Sequence, residues 1–302
     1  MPKEIIIYGI IALLILWIYI EQRMLSTTKF QIKSDKLLPT FQQTGFVLLA
    51  DLHNRTFGTD NHRLIKRIDS LKPDFIIVAG DIINKKAASC PGNAYTLLDK
   101  LSERYKIFYA YGNHEQRMER IGKAIKAERT KEEEAYYHSW VEFKNRLRKK
   151  GVVFLDNESI TMEWKGERLR ITGISIGADY FGFQTAKEME ADYISSLVGQ
   201  RSENQYQILI AHNPVYFNHY AEWGADLILS GHLHGGMMRL PGIGGVLSPQ
   251  AKFFPKYDSG KHEYLNSQLI VSRGLGSHSI MPRIFNIPEL VYVKLAHDNN
   301  SK

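Results

Sequence analysis

A single cysteine, Cys90, is present among 302 residues, so the chain can form no intrachain disulfide and assemble no cluster of thiolate ligands for zinc. There is no internal repeat, which sets aside solenoid and propeller arrays. Nor is any stretch biased enough to remain disordered: apolar residues make up 44% and charged residues 24%, as in an ordinary folded protein. The length fits one large domain or two small ones, with ample core. A formal charge of +7 favours anionic partners, but it bears on association and not on chemistry. No nucleic-acid partner is expected, and the oligomeric state is left open.

The sixteen residues between Glu4 and Glu21, IIIYGIIALLILWIYI, carry no charge and fall just short of the roughly 17 to 25 that span a bilayer as a helix. Lys3 and Arg23 can snorkel outward, while Trp17 and Tyr19 lie where an interfacial aromatic belt would fall, so a thin bilayer is within reach. The segment reads as a single-pass signal anchor that places the protein in the cell membrane. Its rivals are a buried core helix and a cleaved signal peptide, although EQRMLSTTK offers no Ala-x-Ala-like cleavage site. Lys3 precedes the helix and Arg23, Lys29, Lys33 and Lys36 follow it, a balance that leans towards a cytoplasmic domain without fixing the side.

The expected organisation is an anchor over residues 1–23, a polar linker over 24–40 broken by Pro39, and one domain over 41–298. GFVLLA at 45–50, FIIVAG at 75–80 and KIFYAY at 106–111 read as buried strands, with helix-period segments between them such as 60–71, where Leu64, Ile65, Ile68 and Leu71 share a face. Residues 116–150 read as a charged, solvated helical stretch. Beyond Gly151 the pattern changes to alternating strands with tight turns, then to further buried strands at 207–211, 226–230 and near the C-terminus. This is α/β patterning, and it predicts two mixed β-sheets packed as a sandwich flanked by helices.

Five of the apolar strands run directly into residues able to hold a metal. They end in Asp51-Leu-His53, Asp81, Asn113-His114, His212 and His232-Leu-His234. Ligands in open α/β sheets collect outside the carboxyl ends of strands, so points remote in sequence should converge there. Carboxylates, imidazoles and one amide oxygen suit hard or borderline divalent ions. They also outnumber what one open catalytic ion uses, which favours two metals. Each element alone is more often a turn or a satisfied core histidine, but independent turns would not all end in ligand-type residues in this order. Gly80, Gly112 and Gly231 supply permissive backbone beside them.

This ordered set, Asp51-Leu-His53, Gly80-Asp81, Gly112-Asn113-His114-Glu115, Ala211-His212 and Gly231-His232-Leu-His234, resembles that of calcineurin-like metallophosphoesterases, and LPGIGGVLSPQAKFFPKYDSG and RGLGSHSIMPRIFNIPEL look like the bacterial branch carrying an N-terminal anchor or export signal. The resemblance covers nearly everything after residue 40. It implies a four-layer αββα fold, with Asp51, His53 and His234 on one ion, Asn113, His212 and His232 on the other, and Asp81 bridging. Manganese is the metal it suggests first, while oxygen and nitrogen ligation also accepts iron, cobalt or zinc. The implied reaction is hydrolysis of a phosphodiester by a metal-bridging hydroxide. His114 would stand beside the leaving group with Asp51 as its orienting neighbour. Lipid-linked phosphate or pyrophosphate is suggested by the anchor, and monoester, diester and pyrophosphate substrates would share the same inner shell.

Arg283, His278 and Asn54 are further candidates for substrate contact. Among rival readings, Gly173-Ile-Ser175-Ile-Gly177 matches the nucleophile-elbow pattern of a serine esterase, but no helical face follows it. His114-Glu115 opens like a zinc-protease motif that fails at Met118, and Gly242-Ile-Gly244-Gly245 lacks dinucleotide spacing. A non-catalytic membrane scaffold is the remaining alternative.

Overall fold

The computed structural model describes residues 3–84, 92–164, 166–182, 187–240, 242–248, 252–277 and 283–298. GFVLL, FIIVA, YQILIA and LILS are buried at every position, as strands covered on both faces require. The first sheet orders its strands as β1 (Ser26–Ser34), β14 (Glu289–His297), β2 (Gly45–Leu49), β3 (Phe75–Ala79), β4 (Lys106–Ala110) and β5 (Val153–Leu155). The second orders β12 (Gly260–Tyr264), β13 (Ser267–Val271), β9 (Leu227–Ser230), β8 (Tyr206–Ala211), β7 (Glu167–Ile174) and β6 (Glu158–Trp164). Both are mixed: β2 to β5 run parallel with β14 antiparallel to β2, and β7, β8, β9 and β13 run parallel between antiparallel edges.

Side-chain alternation then sorts the core into layers. Phe46, Leu48, Phe75 and Ile77 of the first sheet meet Leu169, Ile171, Ile208 and Ile210 of the second in one buried cluster, the interior of the sandwich. The intervening Val47, Leu49, Ile76 and Val78 pack outward on α2 (His62–Leu71), α3 (Gly92–Ser102) and α5 (Lys131–Lys149). On the far side, Leu209, Ile228 and Leu269 pack on Phe217 and Tyr220 of α7 (Phe217–Trp223). The expected four-layer αββα arrangement is the one found.

The linker expected over 24–40 is corrected. Ser26–Ser34 form β1, paired in parallel with β14 from Ser26 against Glu289 to Ser34 against His297. Phe30 and Ile32 alternate with Lys29, Gln31 and Lys33, the pattern of an edge strand with one covered face, and Ile32 is fully buried. The first strand of the domain thus lies ahead of the start expected near Phe41. The charged stretch after residue 116 holds two helices, α4 (Asn113–Lys123) and α5, the latter opened by a capping box between Thr130 and Glu133.

Helix α1 (Lys3–Glu21) is long and apolar enough to cross a membrane. Its side chains are almost all exposed, Glu21 alone being buried, which sets aside the core-helix reading. Its last turn is built into the domain: the Glu21 carboxylate accepts the Phe285 amide N–H at 2.8 Å, and the Trp17 and Phe285 rings lie 6.4 Å apart.

Candidate metal centre

The carboxyl ends of the central strands of both sheets point to one place. Asp51 and His53 follow β2, Asp81 follows β3, Asn113 and His114 follow β4, His212 follows β8, and His232 and His234 follow β9. Three groups result, each with ligand atoms within 4.8 Å of one another: Asp51, His53 and His234; Asp81, His212 and His232; and His53, Asp81 and His114. The Nε2 atoms of His53 and His234 converge to 3.2 Å, both facing Asp51 Oδ1 at 3.9 and 3.6 Å. Asp81 Oδ2 lies 3.3 Å from His212 Nε2, 3.7 Å from His114 Nε2 and 3.9 Å from His53 Nε2.

Assembling these side chains costs backbone strain. Asp51, His53, Asp81, His232 and His234 all take left-handed conformations, with φ of 52, 48, 52, 72 and 53°. Such residues each cost of the order of 1–3 kcal/mol and persist where the surroundings over-determine them, most often at functional sites. The glycines work differently from the sequence expectation. Gly80 does take positive φ, at 80°, but Gly112 does not. A Cβ on Gly112 would fall 2.3 Å from Asp81 Oδ1, so this glycine serves close approach; the left-handed turns are made by the ligand-type residues themselves.

Hydrogen bonds fix the arrangement. His212 Nδ1 lies 2.6 Å from the Ala79 carbonyl, which can only accept, so Nδ1 carries the proton and Nε2 faces the carboxylates. The His232 amide donates to both Asp51 oxygens at 3.1 and 3.0 Å, and the His114 amide donates to Asp81 Oδ1 at 2.9 Å. Glu115, which carried no role in the sequence reading, is the main clamp. Its buried carboxylate accepts the amides of Asp81, Ile82 and Gly112 at 2.8, 3.0 and 2.9 Å and the Tyr109 hydroxyl at 2.7 Å. Glu115→Gln turns an NH₂ towards these donors and should cost about 2–4 kcal/mol of stability in urea unfolding; a loss below about 0.5 kcal/mol would deny the clamp.

The donor set fits divalent cations. Its oxygens and imidazoles suit manganese, iron, cobalt or zinc, and Asn113 Oδ1 is a buried acceptor with no hydrogen-bond partner among the described residues, a group that a cation satisfies. In the metal-free protein, burial pushes the Asp51 carboxyl up to about 7, with the negative charge of Asp81 adding to the rise and His212 opposing it. Burial acts on Asp81 too, but His114, His212 and His53 outweigh it and hold that carboxyl well below the usual range. Burial likewise opposes charge on His212, yet Asp81 and Asp51 raise its imidazole to about 10. A ligating imidazole must be neutral, so metal has to displace the proton on His212 Nε2 at neutral pH while Nδ1 keeps its own. Affinity for Mn²⁺ should therefore climb about tenfold per pH unit for each proton released as pH rises from 6 towards 8. Calorimetry in buffers of different ionisation enthalpy should show proton release; heats independent of buffer would contradict it.

The remaining sequence candidates separate cleanly. Asp81 places a carboxylate oxygen 3.7 Å from His114 Nε2, because the turn after β3 brings it under the start of α4. Arg283 is a structural clamp and not a substrate contact: it is buried, and its guanidinium donates to the carbonyls of Arg273, Gly276 and Asn286 at 2.6, 2.6 and 2.8 Å. Asn54 is tied to α3, its Oδ1 accepting the Ala94 amide at 3.0 Å. His278 lies outside the described residues. Ser175 closes β7 with its amide on Asn157 Oδ1, and a short 3-10 turn at Ala178–Phe181 follows, so no nucleophile elbow forms.

The sequence model of the family described as calcineurin-like phosphoesterase matches residues 45–236. The chain is 26% identical over 285 residues to the uncharacterized metallophosphoesterase YkuE of Bacillus subtilis, covering 93% of this chain and 89% of that protein. It is 22% identical over 254 residues to the UDP-2,3-diacylglucosamine pyrophosphatase LpxG of Chlamydia trachomatis, covering 74% of this chain and 73% of that protein. Among solved structures it is similar to phosphopantetheinyl hydrolase (PptH) from Mycobacterium tuberculosis, with a TM-score of 0.43 at 15% identity over 76% of this chain and 88% of that one.

Proposed function

This chain belongs to the calcineurin-like phosphoesterase family and is a phosphoester hydrolase, and on that premise we propose that it is a membrane-anchored enzyme that cleaves a phosphodiester or pyrophosphate bond in a lipid-linked substrate, using two divalent ions. Asp51, His53 and His234 would hold one ion and Asn113, His212 and His232 the other, with manganese the first candidate. Asp81 would serve both, a role supported by its Oδ2 standing between His53 and His212. When bound, such ions make water nucleophilic near neutral pH and neutralise charge on phosphoryl oxygens. The chain's own contribution is to orient and to move a proton. The strained turns hold the ligands in place beforehand, and His114, steadied through its amide on Asp81, donates a proton from its ring to the departing oxygen.

The observation that carries the lipid-linked reading is where the site opens. A cleft of about 620 Å³ beside His53 is walled partly by Gln22 and Arg23, the residues directly after α1. Exposed Met238, Ile243, Phe253, Phe254 and Phe285 lie on segments joined to one another through the Met238–Ile284 and Leu247–Phe253 bridges, and Phe285 touches Trp17 of α1. Lys252 and Lys256 flank the two phenylalanines, the composition of a surface lying on anionic lipid. Because Glu21, Gln22 and Arg23 belong to the folded unit, α1 is read as retained. The test is hydrolysis by the full chain in mixed micelles, with Mn²⁺ or a chelator, of a lipid diphosphate and of its soluble headgroup analogue. Chelator-sensitive turnover favouring the lipid by at least about tenfold in kcat/KM is expected; equal turnover would remove the lipid while leaving the phosphoesterase.

A further inference from the structure

We propose that Arg23, Arg55 and Arg63 form an anion subsite for the second phosphoryl group of a diphosphate, making the substrate a diphosphate rather than a single-phosphorus diester. The inference rests on the phosphoesterase reading above and narrows its substrate. The three arginines come from three parts of the chain: the exit of α1, the loop after β2, and the first turn of α2. They wall the same cleft as His53, so a group bound by them lies next to the reacting centre. At about 620 Å³ the cleft is of a size that takes a small-molecule headgroup.

Among the described residues, the charge in this cleft is uncompensated. None of the three guanidinium groups has a carboxylate within ion-pair distance among the described residues, whereas Arg129, Arg239 and Arg273 each do. Gathering like charges without an acid is unfavourable unless an anion completes the set, and guanidinium is the group best shaped to hold phosphate oxygens through paired N–H bonds. Two of the three are pre-positioned. The Arg23 guanidinium lies 3.5 Å over the Tyr19 ring and donates one bond to the Tyr19 carbonyl at 3.2 Å. Arg55 stacks over Phe57 at 5.2 Å, and the Arg63 amide donates to the Phe57 carbonyl at 3.1 Å, tying α2 to that loop. An arginine has five N–H donors, so these contacts leave most of them for a ligand. Ser277 Oγ, also on the cleft, is buried with no hydrogen-bond partner among the described residues. It adds a hydroxyl donor that no described residue uses.

Because Arg23 is held at the docked end of α1, the subsite joins anchor and domain. A diphosphate whose lipid stays in the bilayer would meet Arg23 first and then present its other phosphorus at His53. The residues that would hold the ions face the phosphorus under attack, and the arginines carry the charge of the neighbouring one.

The test uses the full chain in detergent and two soluble probes, bis(4-nitrophenyl) phosphate and bis(4-nitrophenyl) diphosphate. Arg23→Ala, Arg55→Ala and Arg63→Ala should each lower the ratio of diphosphate to single-phosphate kcat/KM by about 10- to 100-fold, with Arg63→Lys restoring part of it. Remaining turnover of the single-phosphate probe shows that a variant is folded. Arg63 sits on an exposed helical turn, so its variant carries the test if Arg55→Ala does not fold. An unchanged ratio in Arg63→Ala and Arg23→Ala would overturn the subsite alone. A wild-type protein that hydrolyses neither probe would overturn the phosphoesterase reading and this inference with it.

Discussion

Asp81→Ala should lower kcat/KM by about 10³-fold or more and remove both bound ions together. The carboxylate lies 3.9 Å from His53 Nε2 and 3.3 Å from His212 Nε2, and neighbouring imidazoles hold it ionised against its burial. If that charge serves two ions, as proposed, its loss forfeits several kcal/mol of transition-state stabilisation, and each 1.4 kcal/mol is about tenfold in rate. Alanine also frees the His114 amide that Asp81 Oδ1 accepts. Asp81→Asn, which keeps an acceptor there but not the charge, should fall between wild type and alanine in metal content. Metal analysis beside steady-state kinetics checks this; full metal content in Asp81→Ala would remove Asp81 from the site.

His114→Asn should behave differently, losing about 10² to 10⁴ in kcat while keeping its metal. His114 is close enough to Asp81 and His53 to be read as a third ligand group, so geometry alone leaves two roles open and the split between metal and turnover distinguishes them. A proton donor can be lost without emptying the site, whereas a ligand cannot. Loss of metal in parallel with activity would make His114 a ligand or a structural residue. Retained metal with slowed turnover, and partial relief on substrates with better leaving groups, would mark it as the acid.

The positions that converge in this site were readable because each follows a buried strand. GFVLLA, FIIVAG, KIFYAY, QILIA and DLILS announce themselves by largely apolar runs, and the parallel central strands bring their carboxyl ends to common edges. β1 was passed over for a physical reason: STTKFQIKS is a half-exposed edge strand whose partner, β14, lies at the other end of the chain. The alternation of Phe30 and Ile32 with charged neighbours was the available signal. Glu115 and Arg283 were harder. Both act on backbone groups that come together only in the fold, Glu115 on the amides after β3 and Arg283 on carbonyls of the C-terminal loops, and no spacing encodes such partners. The arginine cleft was illegible for the same reason, since Arg23 reaches it only because the last turn of α1 docks on Phe285.

A dinuclear metal site is tested most directly by counting ions and turnover in one preparation. Metal-depleted full-length protein would be titrated with Mn²⁺ while bound metal and hydrolysis of bis(4-nitrophenyl) phosphate are followed together. Activity that appears with metal and levels off at about two ions per chain is the predicted result. A well-folded protein that binds no divalent ion and hydrolyses nothing at any Mn²⁺ concentration would contradict it.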